Sequence, residues 1–219
     1  MSATIGNPKA LADELGITDF EAKSFPHNIP AERRPVFWYD DAPAINYKST
    51  WKDFDEQADI IAEIVARHAH ERVLIHTTTW KHSQRLADRL ARRGHQDRVW
   101  VPDRKVGRTQ QVAAFLSHPK PDLVAVSPSY WEGLDLKDDL CRAVIVAKVP
   151  FADRGDPVIK ARLAQPGGMI WDHWQASLRV CQGIGRGTRH AEDFCVGYIV
   201  DANWRLVKSQ APSWFKIQT

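Results

Sequence analysis

Residues 141–149 read CRAVIVAKV. The apolar side chains run through the stretch without alternation, so both faces of a strand made from it would be buried. A strand with one wet face alternates apolar and polar residues; a continuous run suits a parallel sheet covered on both sides. Similar β-rich runs flank it in both directions: PVFWY (35–39), RVLIHT (72–77), RVWV (98–101), DLVAVSP (122–128) and VGYIVD (196–201). Helical patterns fall between them. Residues 53–69 place Ile60, Ile61, Ile64 and Val65 on one face, 80–93 end at Gly94, and 107–118 read as a third helix. A short helix follows Asp156-Pro157, and IWDHWQASLRVCQGIGRG is helical until its glycines. Strand and helix alternate, which predicts an α/β fold with a parallel sheet and helices on both faces. Ligands of such sheets sit beyond the carboxyl ends of the strands.

The 219 residues fit one large domain, and a net charge of +3 does not announce a nucleic-acid binder by itself. Cys141, Cys181 and Cys195 lie in apolar runs without CxxC spacing. They read as buried free thiols, with no metal or Fe–S site in this chain, in a reducing, cytoplasmic setting. No apolar run approaches the roughly 20 residues that span a bilayer, so no membrane partner is expected. Residues 1–34, which carry a short helix PKALADELG and then turn irregular, read as a junction segment. Residues 35–203 read as the domain proper, and 204–219 as a tail packed on it through Trp204 and Trp214.

Residues 182–189, QGIGRGTR, set Gln182, Arg186 and Arg189 at i, i+4 and i+7, one stripe of a helix. Such a stripe is either a solvated basic face or a site for an anion that arginines grip bidentately. Gly183, Gly185 and Gly187 allow another backbone or a ligand to come close. Upstream, SPSYWEGLDL (127–136) leaves the strand 122–128 as a loop with Glu132, Gly133 and Asp135, placed by the sheet rule at the ligand edge. Asp135 suits a sugar hydroxyl, and Ser127 or Ser129 a phosphate; a capped turn explains the same residues.

Together these segments resemble motifs V and VI of superfamily 2 helicases, and specifically the DinG/XPD (Rad3-like) DNA helicases, in SYWEGLD followed by QGIGRGTR. VLIHTTTWKHSQRLADRL resembles motif IV, with Thr79-Trp80 where the family often has Ser-Tyr. MSATIGNPKALADELGI resembles motif III, the Ser-Ala-Thr segment. The likeness covers nearly the whole chain and implies a RecA-like helicase C-terminal domain. Departures lie at Lys137-Asp138-Asp139, which replace a Pro-Gly-like turn, and at Gly187-Thr188 between the arginines; these leave the subfamily and substrate open.

The resemblance implies a half of a motor. A first RecA-like lobe would carry the Walker A loop and the Asp-Glu-Ala-His box, and would hold most of ATP and Mg2+. This sequence has no Gly-Lys pair. Its Asp55-Glu56-Gln57-Ala58 follows motif III and reads as the start of a helix. By resemblance, one or both of Arg186 and Arg189 act as an arginine finger on the γ-phosphate, and Gln182 contacts the nucleotide or the attacking water; of the nucleotide-binding residues Glu132, Gly133 and Asp135, Asp135 reaches the ribose side and Gly133 lets the backbone approach. Single-stranded DNA would run beside Thr77, Thr78, Thr79 and Trp80, and beside Ser127, Tyr130 and Trp131. Trp80, Tyr130 or Trp131 would stack a base, or else pack in the core. Lys48, Lys52, Arg104, Lys105 and Arg108 are further candidates to line the path, each equally readable as solvated surface. Three readings follow: the second motor lobe of an ATP-dependent DNA helicase of repair or replication, either a piece of a longer protein or a split-gene product; a stand-alone single-strand-binding or helicase-regulating module without ATPase activity; and a self-sufficient NTPase, which fails for want of a phosphate loop. An exposed apolar surface near motifs III and VI would favour the first.

Overall fold

A computed structural model describes residues 4–25, 27–131 and 134–218. Their strands are β1 (Val36–Trp38), β2 (Val73–His76), β3 (Val99–Trp100), β4 (Val124–Ser127), β5 (Ala143–Val146), β6 (Val196–Ile199) and β7 (Ile217–Gln218). The helices are α1 (Pro8–Leu15), α2 (Trp51–Arg67), α3 (Trp80–Leu90), α4 (Arg108–Leu116), α5 (Pro157–Leu163), α6 (Gly168–Ile184) and α7 (Trp204–Val207). The strands form one sheet in the order β3-β4-β2-β5-β6-β1-β7, and every pairing is parallel. It is a RecA-like α/β fold.

The apolar run of residues 141–149 now has its physical cause. In β5, Val144 and Val146 enter the core on one face of the sheet, while Ala143 and Ile145 enter the core on the other. The first face is covered by Phe115 of α4, by Ala176, Val180, Cys181 and Ile184 of α6, and by Trp204, Val207 and Phe215 of the tail. The second is covered by Ala58, Ile61, Ile64 and Val65 of α2 and Leu86 and Leu90 of α3. The sheet's middle strands therefore have no wet side and cannot alternate.

Helix α2 starts two residues before the apolar pattern does. Thr50 caps it by accepting from the Asp53 amide (3.4 Å), and Asp53 reaches back, a capping box. Asp55 therefore lies in the second turn rather than at the helix mouth, and pairs with Arg89 at 2.7 Å. Gln57 is buried and ties β5 to β6, donating to the carbonyls of Ala147 (2.5 Å) and Val200 (2.8 Å). Helix α3 gives way to a wide turn in which Gly94 takes φ +91°, a left-handed conformation that glycine adopts without strain.

Two features depart from the sequence reading. The tail adds a seventh strand: β7 pairs with β1, Val36 opposite Ile217, while Trp204 is 1% exposed in the core. The second is the connection 128–142 from β4 to β5, which has no α-helix among its described residues, only a 3-10 turn at Asp138–Leu140. Because β2 lies between those strands, the connection passes back over it, and Tyr130, Leu134 and Leu136 become part of the first face's core.

The N-terminal segment packs against α6 and the tail. Trp174 donates to the Ile5 carbonyl at 2.7 Å, Asn7 donates to Gln210 at 2.7 Å, and Asn7 also caps α1. Cys141, Cys181 and Cys195 are buried and free. No helix among the described residues is long and apolar enough to cross a membrane.

Candidate functional site

Helix α6 stops at Ile184, short of the arginines. A single 3-10 turn, Gly185–Gly187, follows, and Thr188 is extended. Gln182, Arg186 and Arg189 therefore do not form a stripe on one helix. They nevertheless converge, lining one cavity of about 410 Å³ together with Thr4, His27, Arg34 and Trp214.

Two of the three glycines have a packing reason. A Cβ on Gly187 would stand 2.2 Å from the Cys195 sulfur, and one on Gly183 would stand 3.0 Å from the Trp131 ring. Gly183 thus lets α6 lie against Trp131 of the 128–142 connection, and Gly187 lets the turn after α6 lie against Cys195, just before β6. The connection in turn holds the arginines. Arg186 donates to the Trp131 carbonyl (3.0 Å) and the Leu134 carbonyl (3.2 Å). Arg189 donates to the Leu134 carbonyl at 2.7 Å and pairs with Asp135 at 2.6 Å. The Asp193 carboxylate accepts the Arg189 amide at 3.0 Å. The carbonyls orient both guanidiniums and Asp135 pairs with that of Arg189, so the two arginines are held in set positions at one wall of the cavity. Glu132 and Gly133 lie outside the described residues, as do Ser2 and Ala3 of the Ser-Ala-Thr segment.

The expected strand residues divide into two groups. Thr77, Ser127 and Tyr130 are fully buried. Thr77 shares a hydrogen bond with Ser83 (2.6 Å), Ser127 with Ser129 (2.9 Å), and the Tyr130 hydroxyl donates to the Gln111 carbonyl (2.9 Å). Burial pushes the Tyr130 phenol above its ordinary range. Trp131 is half-buried: its indole donates to the Thr77 carbonyl at 2.8 Å and stacks on His76 at 4.4 Å between ring centres. Of the core-or-stacking alternatives for these aromatics, Tyr130 and Trp131 here take the packing one. In the other group Thr79 and Trp80 open outward, whereas the Thr78 hydroxyl is buried. Thr79 is exposed and caps α3, accepting from the His82 amide at 3.1 Å, with half-buried Thr78 and Trp80 beside it.

Some relevant residues escaped the sequence reading. His76 is completely buried between β2 and Trp131; burial, helped by the Arg186 charge, pushes its pKa down to about 3 against the opposing Gly183 carbonyl. His82, buried beside Gln57, is pushed down to about 3 by burial and by Lys148, Arg85 and Arg89. Asp201, at the carboxyl end of β6, accepts from the amides of Val149 (2.8 Å), Asn203 (2.9 Å) and Ile45 (3.3 Å), and burial raises it to about 6. A histidine ending an apolar strand run was the available signal for His76; nothing local marked Arg34 or His27 as cavity wall. At the amino side of the sheet, Asp138, His190 and Asp193 bring ligand-type atoms within 4.8 Å of one another, but Asp193 is already paired with Arg142 at 2.9 Å.

The helicase C-terminal domain family matches residues 61–217. Among curated proteins, the ATP-dependent DNA helicase YoaA of Escherichia coli is 37% identical over 109 residues, covering 47% of this chain and 17% of YoaA. The mouse regulator of telomere elongation helicase 1 is 32% identical over 123 residues, covering 49% of this chain and 10% of that protein. The matched region is thus a small part of either relative. Among solved structures, an apo XPD superposes with a TM-score of 0.59 at 14% identity, over 81% of this chain and 38% of that one. Saccharomyces cerevisiae Dbp5 bound to RNA and ADP BeF3 superposes with a TM-score of 0.57 at 13% identity, over 99% of this chain and 49% of that one. Both share the fold.

Proposed function

The chain belongs to the helicase C-terminal domain family, with relatives of the DinG/XPD-like kind, and on that premise we propose that it is the second motor lobe of an ATP-dependent DNA helicase. Its partner in this reading is a first RecA-like lobe that carries the phosphate-binding loop and most of the ATP and Mg2+ site. The observation that carries the proposal is the shared cavity: Thr4, from the motif III segment, faces the same space as Gln182, Arg186 and Arg189. A nucleotide held by the first lobe would present its γ-phosphate there.

The local chemistry suits that role. Arg186 is held by carbonyls, so its position is set before any phosphate arrives; such preorganisation is what stabilises charge developing on a transferring phosphoryl group. Arg189 is held partly by Asp135, whose side chain is 73% exposed. An ion pair so exposed stabilises by about 0–1 kcal/mol, so exchange for a phosphate oxygen costs little. Gln182 is left to orient the nucleotide or the attacking water. Closure of the two lobes would assemble the site, and hydrolysis would release it. Leu15 and Ile17 at the end of the motif III segment, and Phe20 and Phe25 just after it, are exposed and provide apolar surface for the partner lobe. Single-stranded DNA would run past Thr78, Thr79 and Trp80. Thr77, Ser127 and Tyr130 would contribute through their backbone and by fixing the connection.

The test is ATP turnover in the presence of single-stranded DNA, by this chain alone and mixed with a first lobe of the same family. Turnover confined to the mixture supports the half-motor. Turnover by the chain alone would contradict it. DNA binding without turnover in either case would favour a stand-alone binding module.

A further inference from the structure

The start of α2 carries large aromatics that the core does not use. Tyr47 is 90% exposed and Trp51 is 66% exposed, both on the loop and first turn that lead into the helix. Trp51 is the first residue after the Thr50 cap, so its position is fixed by the capping box rather than by packing. Arginines from α3 hold it: the guanidiniums of Arg85 and Arg89 each lie 5.0 Å from the Trp51 ring centre, and Arg85 is 5.4 Å from Phe54. Lys48 lies 5.6 Å from the Tyr47 ring. These contacts pin the Trp51 ring while leaving much of it open to solvent.

The surroundings keep a small cationic excess: with the ion pairs set aside, Lys48, Lys81 and Arg85 remain against the carboxylates of Asp53 and Asp88. Asp53 is engaged at the cap, Asp55 pairs with Arg89 at 2.7 Å and Glu56 with Lys52 at 3.6 Å, while Asp88 accepts from Gln84. Lys48, Lys81 and Arg85 make no ion pair among the described residues. The location also matters. Gln57, two turns along α2, bonds the carbonyls that follow β5 and β6, so the start of α2 stands at the carboxyl edge. Trp80 and Lys81 open α3 one turn before Arg85. The exposed residues 15–25 differ: Leu15, Ile17, Phe20 and Phe25 offer apolar surface without aromatic–cation pairs. A pinned, open indole with free cations suits a nucleobase and its phosphates; a purely apolar patch suits a protein.

We propose that Trp51 and Tyr47, with Lys48, Lys81 and Arg85, form a stacking platform for single-stranded nucleic acid that extends the strand path beyond Thr79 and Trp80. This inference rests on the proposed helicase function for the direction of the path. Bases stack on Trp51 and Tyr47, and the cations hold phosphates without reading sequence.

The experiment is titration of the chain with fluorescently labelled oligo(dT) of about 12 nucleotides, and with an abasic oligomer of equal length. The proteins compared are wild type, Trp51→Ala, Tyr47→Ala and Trp80→Ala. Circular dichroism checks each fold, and Trp51→Phe serves as the conservative variant. The platform predicts about tenfold weaker oligo(dT) binding for Trp51→Ala, little change for the abasic oligomer, and partial rescue by Phe. Unchanged oligo(dT) binding in Trp51→Ala and Tyr47→Ala beside a weakened Trp80→Ala would overturn the platform and leave the helicase reading standing. Equal losses on both oligomers would overturn stacking. A wild-type chain without affinity for either oligomer would overturn both, and would direct the aromatic patch to a protein partner.

Discussion

The aromatic residues after β4 and those around the start of α3 have similar sequence surroundings and opposite fates. Tyr130 and Trp131 follow two serines; Trp80 follows three threonines. Tyr130 is buried and Trp131 is stacked on His76, whereas Trp80 stays half-exposed beside an exposed Thr79. The difference lies in what the chain does next. After Thr79 it opens a helix that runs away from the edge. The connection that carries Tyr130 and Trp131 passes over β2 with no α-helix among its described residues, and its aromatics pack on the core. Residue type near a sheet edge does not determine exposure; the connection does.

This contrast can be broken by substitution, and the largest effect is expected at Tyr130. Tyr130→Ala should lower stability by about 3–5 kcal/mol, with a clear fall in the thermal midpoint. Trp80→Ala should move it by less than about 1 kcal/mol while weakening strand binding. Comparable losses for the two would mean that the connection does not pack on the core in this way. Next comes the seat of α6. Gly187→Ala forces a Cβ onto Cys195 and should cost about 1–3 kcal/mol. Gly185→Ala, which meets nothing within 4 Å, should be near neutral in chemical denaturation. Trp131→Phe keeps the ring over His76 but loses the bond to the Thr77 carbonyl, for a loss of about 1 kcal/mol.

A pH dependence also separates buried from exposed groups. His76 and His82 are held neutral in the fold with pKa values of about 3, against an ordinary value of 6.5. The unfolded chain takes up protons as pH falls below that ordinary value while the fold resists, so stability should decline from neutral pH toward pH 3. His76→Phe should shallow that decline in urea midpoints measured at pH 7 and pH 5. An unchanged slope would mean that His76 is accessible to protons in the folded lobe.

The sheet was legible because its middle strands are buried on both faces, which removes alternation from β2, β4, β5 and β6. β7 escaped because Ile217–Gln218 is too short to show a pattern and is defined only by its partner β1. At the candidate site, Gln182, Arg186 and Arg189 were visible as a group, but for a reason the structure replaces: helical spacing suggested a stripe, while a 3-10 turn and an extended residue bring them together. The sheet rule placed Asp135 at the ligand edge, and the structure sets it against Arg189, which lines the wall of the candidate cavity. Trp51 was missed although Thr50 and Asp53 spell a capping box, which fixes where the helix begins and what its first residue presents.

The central claim is that Arg186 acts on phosphate across an inter-lobe cleft. Its most direct test is steady-state ATP turnover by the chain paired with a first lobe and saturated with single-stranded DNA, comparing wild type with Arg186→Ala. The account predicts a fall in kcat of about a thousandfold or more, with a much smaller change in KM. A variant with undiminished kcat would show that Arg186 only ties Trp131 and Leu134 to α6, and the assignment of the site would be wrong.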